Sequence, residues 1–203
     1  MTKYYDFRKE INIKDLDEII KIFNDNGVVI FPTETVFGIG GNAFSDEVIN
    51  RIYDIKQRPI SKNVNIMVGN KKQIEKYAYV NEKEKKIIEK YMPGEITIIL
   101  KKKKELNSYA FDNDTIGIRI PNNNIMLKIL SKLEFPIVAT SANISGDGNY
   151  NYEDIKKHFD GKVDAIINGV IGSNTPSTIV KVVNNNIEVL RQGKIVIDSE
   201  LIK

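Results

Sequence analysis

A chain of 203 residues, 41% hydrophobic and 28% charged, has enough apolar surface for one sizeable core and reads as a single globular domain over residues 1–203. With no cysteine and one histidine, His158, disulfides, thiolate metal sites, a cysteine nucleophile and a histidine metal cluster are excluded, and a Ser-His-Asp hydrolase is a poor fit. The net charge of +3 is too even for a nucleic-acid coat protein, and no apolar run nears the roughly 18 residues that span a bilayer. The amino terminus has no signal-peptide core, so a cytoplasmic protein without membrane contact is expected. Its chemistry must rest on Lys, Arg, Ser, Thr, Asn and carboxylates, with or without a bound cation.

Leu16, Ile19, Ile20 and Phe23 recur at helical spacing and predict a helix from Asp15 to Asn24 that feeds a buried strand at Val28 to Phe31. That strand empties into Pro32-Thr33-Glu34-Thr35-Val36-Phe37-Gly38, with further glycines at Gly40 and Gly41. A proline that ends the ladder, followed by hydroxyls, a carboxylate and glycines, suits a loop whose N–H groups approach a ligand closely; a tight surface turn is the competing reading. A second helix starts at the N-cap Ser45 and ends near Arg58, because the residue before Pro59 disfavours helical geometry. Further along lie a strand at Asn65 to Val68, helices at Lys72 to Tyr77 and Glu82 to Tyr91, and strands at Ile96 to Leu100 and Thr115 to Ile120. The run Lys101 to Lys104 falls between those two strands as a solvated strand end or loop.

A helix at Ile125 to Leu133 leads to a strand at Ile137 to Thr140, which opens into Ser141-Ala142-Asn143-Ile144-Ser145-Gly146. A helix around Tyr152 to Phe159, a strand at Ala165 to Ile167 and a hairpin of Thr178 to Val183 with Ile187 to Arg191 complete the chain. Asn122 to Asn124 and Asn184 to Asn186 read as turns. Helices and strands interleave without strict βαβ regularity, so the expected fold class is α/β of the α+β type, a mixed twisted β-sheet flanked by helices.

Four groups of residues could carry chemistry. Lys56, Arg58 and Lys62 cluster at a helix exit pinned by Pro59 and suit a polyphosphate, although an isolated KxR more often complements the helix dipole. Thr115, Gly117 and Arg119 share one face of a strand, where an arginine can receive a carboxylate or phosphate bidentately. Ser141 and Asn143 offer a hydroxyl and an amide two residues apart, and Ser177 and Arg191 open and close a hairpin, so they too could face a common ligand. No P-loop, dinucleotide-binding or kinase signature is present, so a nucleotide would need an unusual scaffold.

Taken in order, Phe31-Pro32-Thr33-Glu34-Thr35-Val36-Phe37-Gly38-Ile39-Gly40, Lys56-Gln57-Arg58-Pro59, Pro93-Gly94-x-x-Thr97, Gly117-Ile118-Arg119-Ile120-Pro121, Thr140 to Gly146, Pro176-Ser177-Thr178-Ile179-Val180 and Leu190-Arg191-Gln192-Gly193 resemble the motifs of the YrdC/Sua5 family, the threonylcarbamoyl-AMP synthases. The resemblance implies a YrdC-like fold with a concave basic cavity, in the short single-domain form. It further implies an L-threonylcarbamoyladenylate synthase, a nucleotidyltransferase that makes threonylcarbamoyl-AMP and pyrophosphate from L-threonine, bicarbonate or CO2 and ATP. The product would serve the t6A modification of tRNA through a downstream tRNA threonylcarbamoyl-transfer complex.

By the same resemblance, Thr35, Arg119, Ser141 and Ser177 would hold threonine, and Lys56, Arg58, Lys62, Thr115, Asn143 and Arg191 would hold ATP. Lys56 and Arg58 would be the catalytic pair nearest the α-phosphate. Mg2+ would ride on the triphosphate with no dedicated protein ligands. Asn149 to Asn151, Lys181 and Met67 depart from the family's usual residues and take no role. The runner-up class is an RNA-binding or ribosome-maturation factor, which would make weak tRNA contact on a basic concave surface; pyrophosphate release that depends on threonine and bicarbonate separates the two.

Overall fold

The computed structural model describes residues 1–106, 108, 110–111 and 114–202. In chain order the elements are β1 (Lys3–Asp6), α1 (Ile13–Asn24), β2 (Val29–Phe31), β3 (Gly38–Asn42), α2 (Asp46–Lys56), β4 (Asn65–Met67), α3 (Lys71–Tyr77), β5 (Ala78–Tyr79), α4 (Glu82–Tyr91), β6 (Ile96–Lys102) and β7 (Thr115–Arg119). Then come α5 (Asn124–Lys132), β8 (Ile137–Ser141), α6 (Tyr152–Phe159), β9 (Ala165–Asn168), β10 (Thr178–Val183), β11 (Asn186–Arg191) and α7 (Ser199–Ile202). The helices start on side-chain caps: Asn12, Ser45, Asn70, Asn81, Asn123 and Asn151 each accept backbone N–H groups of the first turn. Asn123, read as part of a turn from sequence, is thus also a helix start. Asn184 and Asn185 take φ of 50° and 64° and make the expected β10–β11 hairpin turn, a left-handed pair that asparagine tolerates well.

The strands form one mixed sheet in the order β1-β9-β2-β3-β8-β4-β7-β6-β10-β11, with β5 added to β6. Its two faces follow from the period of two along each strand. Ile30, Ile39, Ile66, Ile98, Ile116, Ile118, Val138, Ile166 and Val180 point to one face and join a core with residues of α2, α3, α4 and α6. Val29, Phe31, Ile137, Ala139, Ala165 and Ile167 point to the other, where α1 and α5 cover them through Leu16, Ile19, Phe23, Met126, Ile129 and Leu130. Helices α1 and α5 cover only the β1-to-β8 half of that second face. Beyond it the same face bears Asn65, Thr97, Arg119 and Arg191, and there the sheet lies open.

One expectation changes, and one strand runs on into its expected solvated end. Gly38, Gly40 and Gly41 lie in β3, which pairs antiparallel with β2 on one side and β8 on the other. Their backbone groups therefore serve the ladders, and their lack of a side chain serves packing: a Cβ on Gly40 would stand 2.3 Å from the Val138 carbonyl oxygen, and one on Gly41 2.5 Å from Val48 Cγ1. Lys101 and Lys102 belong to β6, extended because Lys101 pairs with Tyr79 and Thr115 and Lys102 with Ala78. The short elements β1, β5 and α7 carry too few residues for a periodic signal. No helix among the described residues is long and apolar enough to cross a membrane.

Candidate functional site

On the open half of the second face lies a cavity of about 260 Å³. Strand register brings its floor together: Gly38 pairs with Ser141, Asn65 with Ala139, Met67 with Arg119, Thr97 with Ile179, and Ile179 with Arg191. Its walls are Thr33 and the run Thr35 to Phe37, Arg58 and Asn63 after α2, and Pro176 and Ser177 before β10; among the described residues none of a helix lines it. A larger groove of about 590 Å³ backs onto the same wall through Glu34, between Phe7, Asn122, Ile125 and Val170. It holds none of the arginines, so the smaller cavity is the candidate site.

Arg119, 6% exposed, is fixed on three sides. Its Nε donates to the Gly94 carbonyl at 3.2 Å and Nη1 to Thr35 Oγ1 at 3.0 Å, while Nη2 stands 2.8 Å from Glu34 Oε1. Thr35 is in turn held by Thr33, whose hydroxyl lies 2.8 Å from the Thr35 hydroxyl and donates to the Val36 carbonyl at 2.7 Å. At the opposite wall Arg191 donates through Nε and Nη2 to the Ser177 carbonyl at 3.0 and 2.8 Å, and Nη2 reaches Ser177 Oγ at 3.1 Å. The Ser177 hydroxyl also lies 2.9 Å from Thr97 Oγ1. Burial, and then the nearby Arg119 charge, lower the pKa of Arg191.

The end of α2 supplies the third cation. Gln57 takes a left-handed conformation, φ 50°, with its N–H on the Asp54 carbonyl and the Arg58 N–H on the Tyr53 carbonyl. This pair of bonds closes the helix as a Schellman turn and swings Arg58 into the cavity wall. Nε and Nη2 of Arg58 donate to the carbonyls of Lys62 and Asn63 at 3.1 and 2.7 Å.

Of the residues predicted from sequence, Thr35, Arg58, Arg119, Ser141, Ser177 and Arg191 line one cavity. Lys56 and Asn143 sit behind it. Lys56 is 1% exposed and its ammonium is held by the carbonyl of Ser141 and by the carbonyl and Oδ1 of Asn143, at 2.6 and 3.2 Å for the latter two. The Ser141 hydroxyl donates to Asn143 Oδ1 at 2.6 Å, and Ser145 N–H returns to the Lys56 carbonyl at 2.9 Å. Lys56 therefore acts as a clasp of the loop after β8, and its side chain does not enter the cavity, contrary to a direct phosphate contact. Burial, with a smaller push from Arg58, brings its pKa from 10.5 down to about 7.

Lys62 and Thr115 are not in the cavity wall. The Lys62 side chain is exposed and only its carbonyl serves the site, through Arg58. Thr115 opens β7 and Arg119 closes it, a separation of roughly 13 Å at strand rise, so only one end of the strand reaches the cavity. Sequence reasoning gave no role to Thr33, Asn63, Asn65, Met67 and Thr97, all of which line it. Thr97 and Asn65 carried a usable signal: polar residues inside short apolar strands, on the same parity as cavity neighbours. Asn151 is the N-cap of α6 in a capping box with Asp154, which accounts for it structurally.

The chain matches the Sua5/YciO/YrdC family model, described as "Telomere recombination", over residues 21–193. It belongs to that family. A Methanocaldococcus jannaschii relative is 39% identical over 197 residues, covering 96% of this chain and 93% of the relative. A Psychromonas ingrahamii protein named threonylcarbamoyl-AMP synthase is 31% identical over 175 residues, covering 81% of this chain and 91% of its own length. Among solved structures of the Sua5/YciO/YrdC family, P. abyssi Sua5 complexed with L-threonine superposes with a TM-score of 0.89 at 29% identity over 95% of this chain, which spans 58% of that protein. E. coli YciO superposes equally well, TM-score 0.89 at 25% identity, over the full length of both chains. The fold class expected from sequence, a mixed twisted sheet flanked by helices, is the one these structures share.

Proposed function

We propose that this chain is an L-threonylcarbamoyladenylate synthase, a nucleotidyltransferase that joins L-threonine, bicarbonate or CO2 and ATP into threonylcarbamoyl-AMP with release of pyrophosphate. The observation that carries the reading is the convergence of three guanidinium groups, Arg58, Arg119 and Arg191, with the hydroxyls of Thr35, Ser141 and Ser177 around one cavity. Relatives named for this activity, and a neighbour solved with L-threonine, support it.

The chemistry asks for positioning and charge rather than a protein nucleophile. Threonine's amine and CO2 give a carbamate; a carbamate oxygen bonds to the α-phosphorus of ATP as the bond from that phosphorus to the bridging oxygen breaks, and pyrophosphate leaves with the charge. Arg119 is the partner for the threonine carboxylate, flanked by the Thr35 hydroxyl, with Ser141 and Ser177 as further donors. Arg58 and Arg191 face the phosphates. Lys56 and Asn143 hold the Ser141 loop in place for both. The cavity's donors are guanidinium, hydroxyl and amide groups, and the nearby carboxylate of Glu34 is committed to Arg119, a set ill suited to gripping a divalent cation. Mg2+ would therefore enter with ATP as part of the substrate, held by phosphate oxygens and water, and would neutralise triphosphate charge.

The product would pass to a tRNA-modifying threonylcarbamoyl-transfer complex. Incubating the protein with ATP, Mg2+, L-threonine and bicarbonate and measuring pyrophosphate, with each component omitted in turn, tests the reading. Release that needs both threonine and bicarbonate is expected. Tight RNA binding with no such release would favour an RNA-binding factor instead.

A further inference from the structure

Glu34 stands in the middle of the hydroxyl-rich segment after β2, yet no step of the proposed reaction uses it. Its carboxylate lies outside the cavity lining, with a side chain 13% exposed, behind Arg119. Oε1 receives the Asn122 N–H at 2.8 Å and stands 2.8 Å from Arg119 Nη2. Oε2 is buried with no hydrogen-bond partner, and Nη2 of Arg119 is likewise buried without an aligned hydrogen bond. The main chain of Glu34 is pinned as well: its carbonyl receives the Ser173 N–H at 3.0 Å, and Gly172 packs so closely that a Cβ there would meet that carbonyl at 2.0 Å. One residue thus joins the segment after β2, the segment after β7 and the loop that leads to Ser177.

The geometry points to Glu34 as the positioning residue of Arg119. An arginine among Arg58 and Arg191 is repelled by both, and a long side chain with several rotatable bonds would swing toward solvent unless held. The Glu34 carboxylate holds Nη2 from the rear. With Gly94 on Nε and Thr35 on one Nη1 hydrogen, the guanidinium plane is fixed and its remaining Nη1 hydrogen is left for the carboxylate of an α-amino acid. This assignment rests on the proposed function, because it takes Arg119 as the site of the substrate carboxylate.

Charge and positioning predict opposite signs. Removing the negative charge behind Arg119 would, by Coulomb's law alone, strengthen the hold of Arg119 on the carboxylate of zwitterionic threonine. If Glu34 acts by holding Arg119, its removal weakens that binding instead. A role confined to joining the loops would lower thermal stability and leave affinity unchanged.

The test is calorimetric titration of L-threonine, without turnover, into the wild-type protein, Glu34→Gln, Arg119→Ala and the double variant, with melting temperatures alongside. Glu34→Gln preserves shape and the acceptor for Asn122, so it keeps the wall intact. Threonine affinity is expected to fall about threefold to tenfold in Glu34→Gln, with ATP affinity within about twofold of wild type, and to show no further loss when the change is made in Arg119→Ala. Unchanged or tighter threonine binding in Glu34→Gln overturns the assignment while leaving the function standing, as does an equal loss in the Arg119→Ala background. A wild-type protein that binds no threonine overturns the functional reading and this assignment with it.

Discussion

Lys56 and Asn143 are joined twice, the ammonium lying 2.6 Å from the Asn143 carbonyl oxygen and 3.2 Å from its Oδ1. Because the same ammonium also holds the Ser141 carbonyl, one buried cation sets the shape of the loop that presents the Ser141 hydroxyl. Substituting Lys56 by Met keeps the apolar stem but leaves those oxygens without their donor. Threonine-dependent pyrophosphate release should drop by about a hundredfold, the scale on which a displacement of about 1 Å in a positioned group is felt. Steady-state assay of the folded variant checks this, and near-normal turnover would remove Lys56 from the site's machinery.

The pH dependence of stability has a definite sign. Below about pH 7 Lys56 is protonated in both folded and unfolded chains, so the cost of burying its charge is fully present. Between there and its ordinary value of 10.5, the unfolded chain holds a proton that the folded protein has released, and the unfolding free energy rises with pH. Urea unfolding of wild type and Lys56→Met across this range should show the difference moving in favour of wild type as pH increases. A difference that stays flat or falls contradicts the direction.

Arg119→Ala removes a charge-assisted partner worth about 1.5–3 kcal/mol. The KM for threonine should rise roughly tenfold to a hundredfold, while the KM for ATP changes little, because the phosphate-facing arginines are on other walls. Equal increases in both constants would show that Arg119 serves the cavity as a whole rather than threonine.

Ser177 links Thr97 to Arg191 through one hydroxyl. Ser177→Ala should cost about 1 kcal/mol of stability from a lost buried hydrogen bond, and Thr97→Val in the same background should add less than it does alone, since both remove one contact. Chemical denaturation of the single and double variants measures the coupling; strict additivity would dissolve the network.

Gly40→Ala tests whether the glycine-rich segment serves packing or a ligand. A Cβ 2.3 Å from the Val138 carbonyl cannot be relieved by turning a side chain, so β3 and β8 must separate, at about 1–3 kcal/mol. A lowered melting temperature is expected. If stability is retained and only activity is lost, the glycine serves a ligand approach after all.

Much of this architecture is legible in local pattern. The bounds of α4 and α6, the Ser45 cap, the Asn184–Asn185 turn and the placing of Arg119 and Gly117 on one face follow from periodicity and capping, which depend on residues a few positions apart. Within the site, hydroxyls and guanidiniums at strand ends could be named for the same reason. What the local pattern left open is equally particular. Gly38, Gly40 and Gly41 looked like part of a ligand loop because three glycines carry no periodic signal; Gly38 does line the cavity, whereas the role of Gly40 and Gly41 depends on Val138 and Val48, residues brought in by β8 and α2.

The sequence by itself determined the longer helices and strands, which face of each is apolar, and that the polar residues cluster at strand ends, because these properties are set by neighbours along the chain. Only the tertiary structure decided the strand order that aligns Met67 with Arg119 and Gly38 with Ser141. Outside the β10–β11 hairpin, whose turn is local, these pairings join residues far apart in the chain, and no local pattern encodes them. The same distinction governs the cations. In sequence Lys56 and Arg58 are positive charges two residues apart; in the fold a left-handed Gln57 turns Arg58 into the cavity wall and leaves Lys56 sealed against carbonyl oxygens, where burial lowers its pKa.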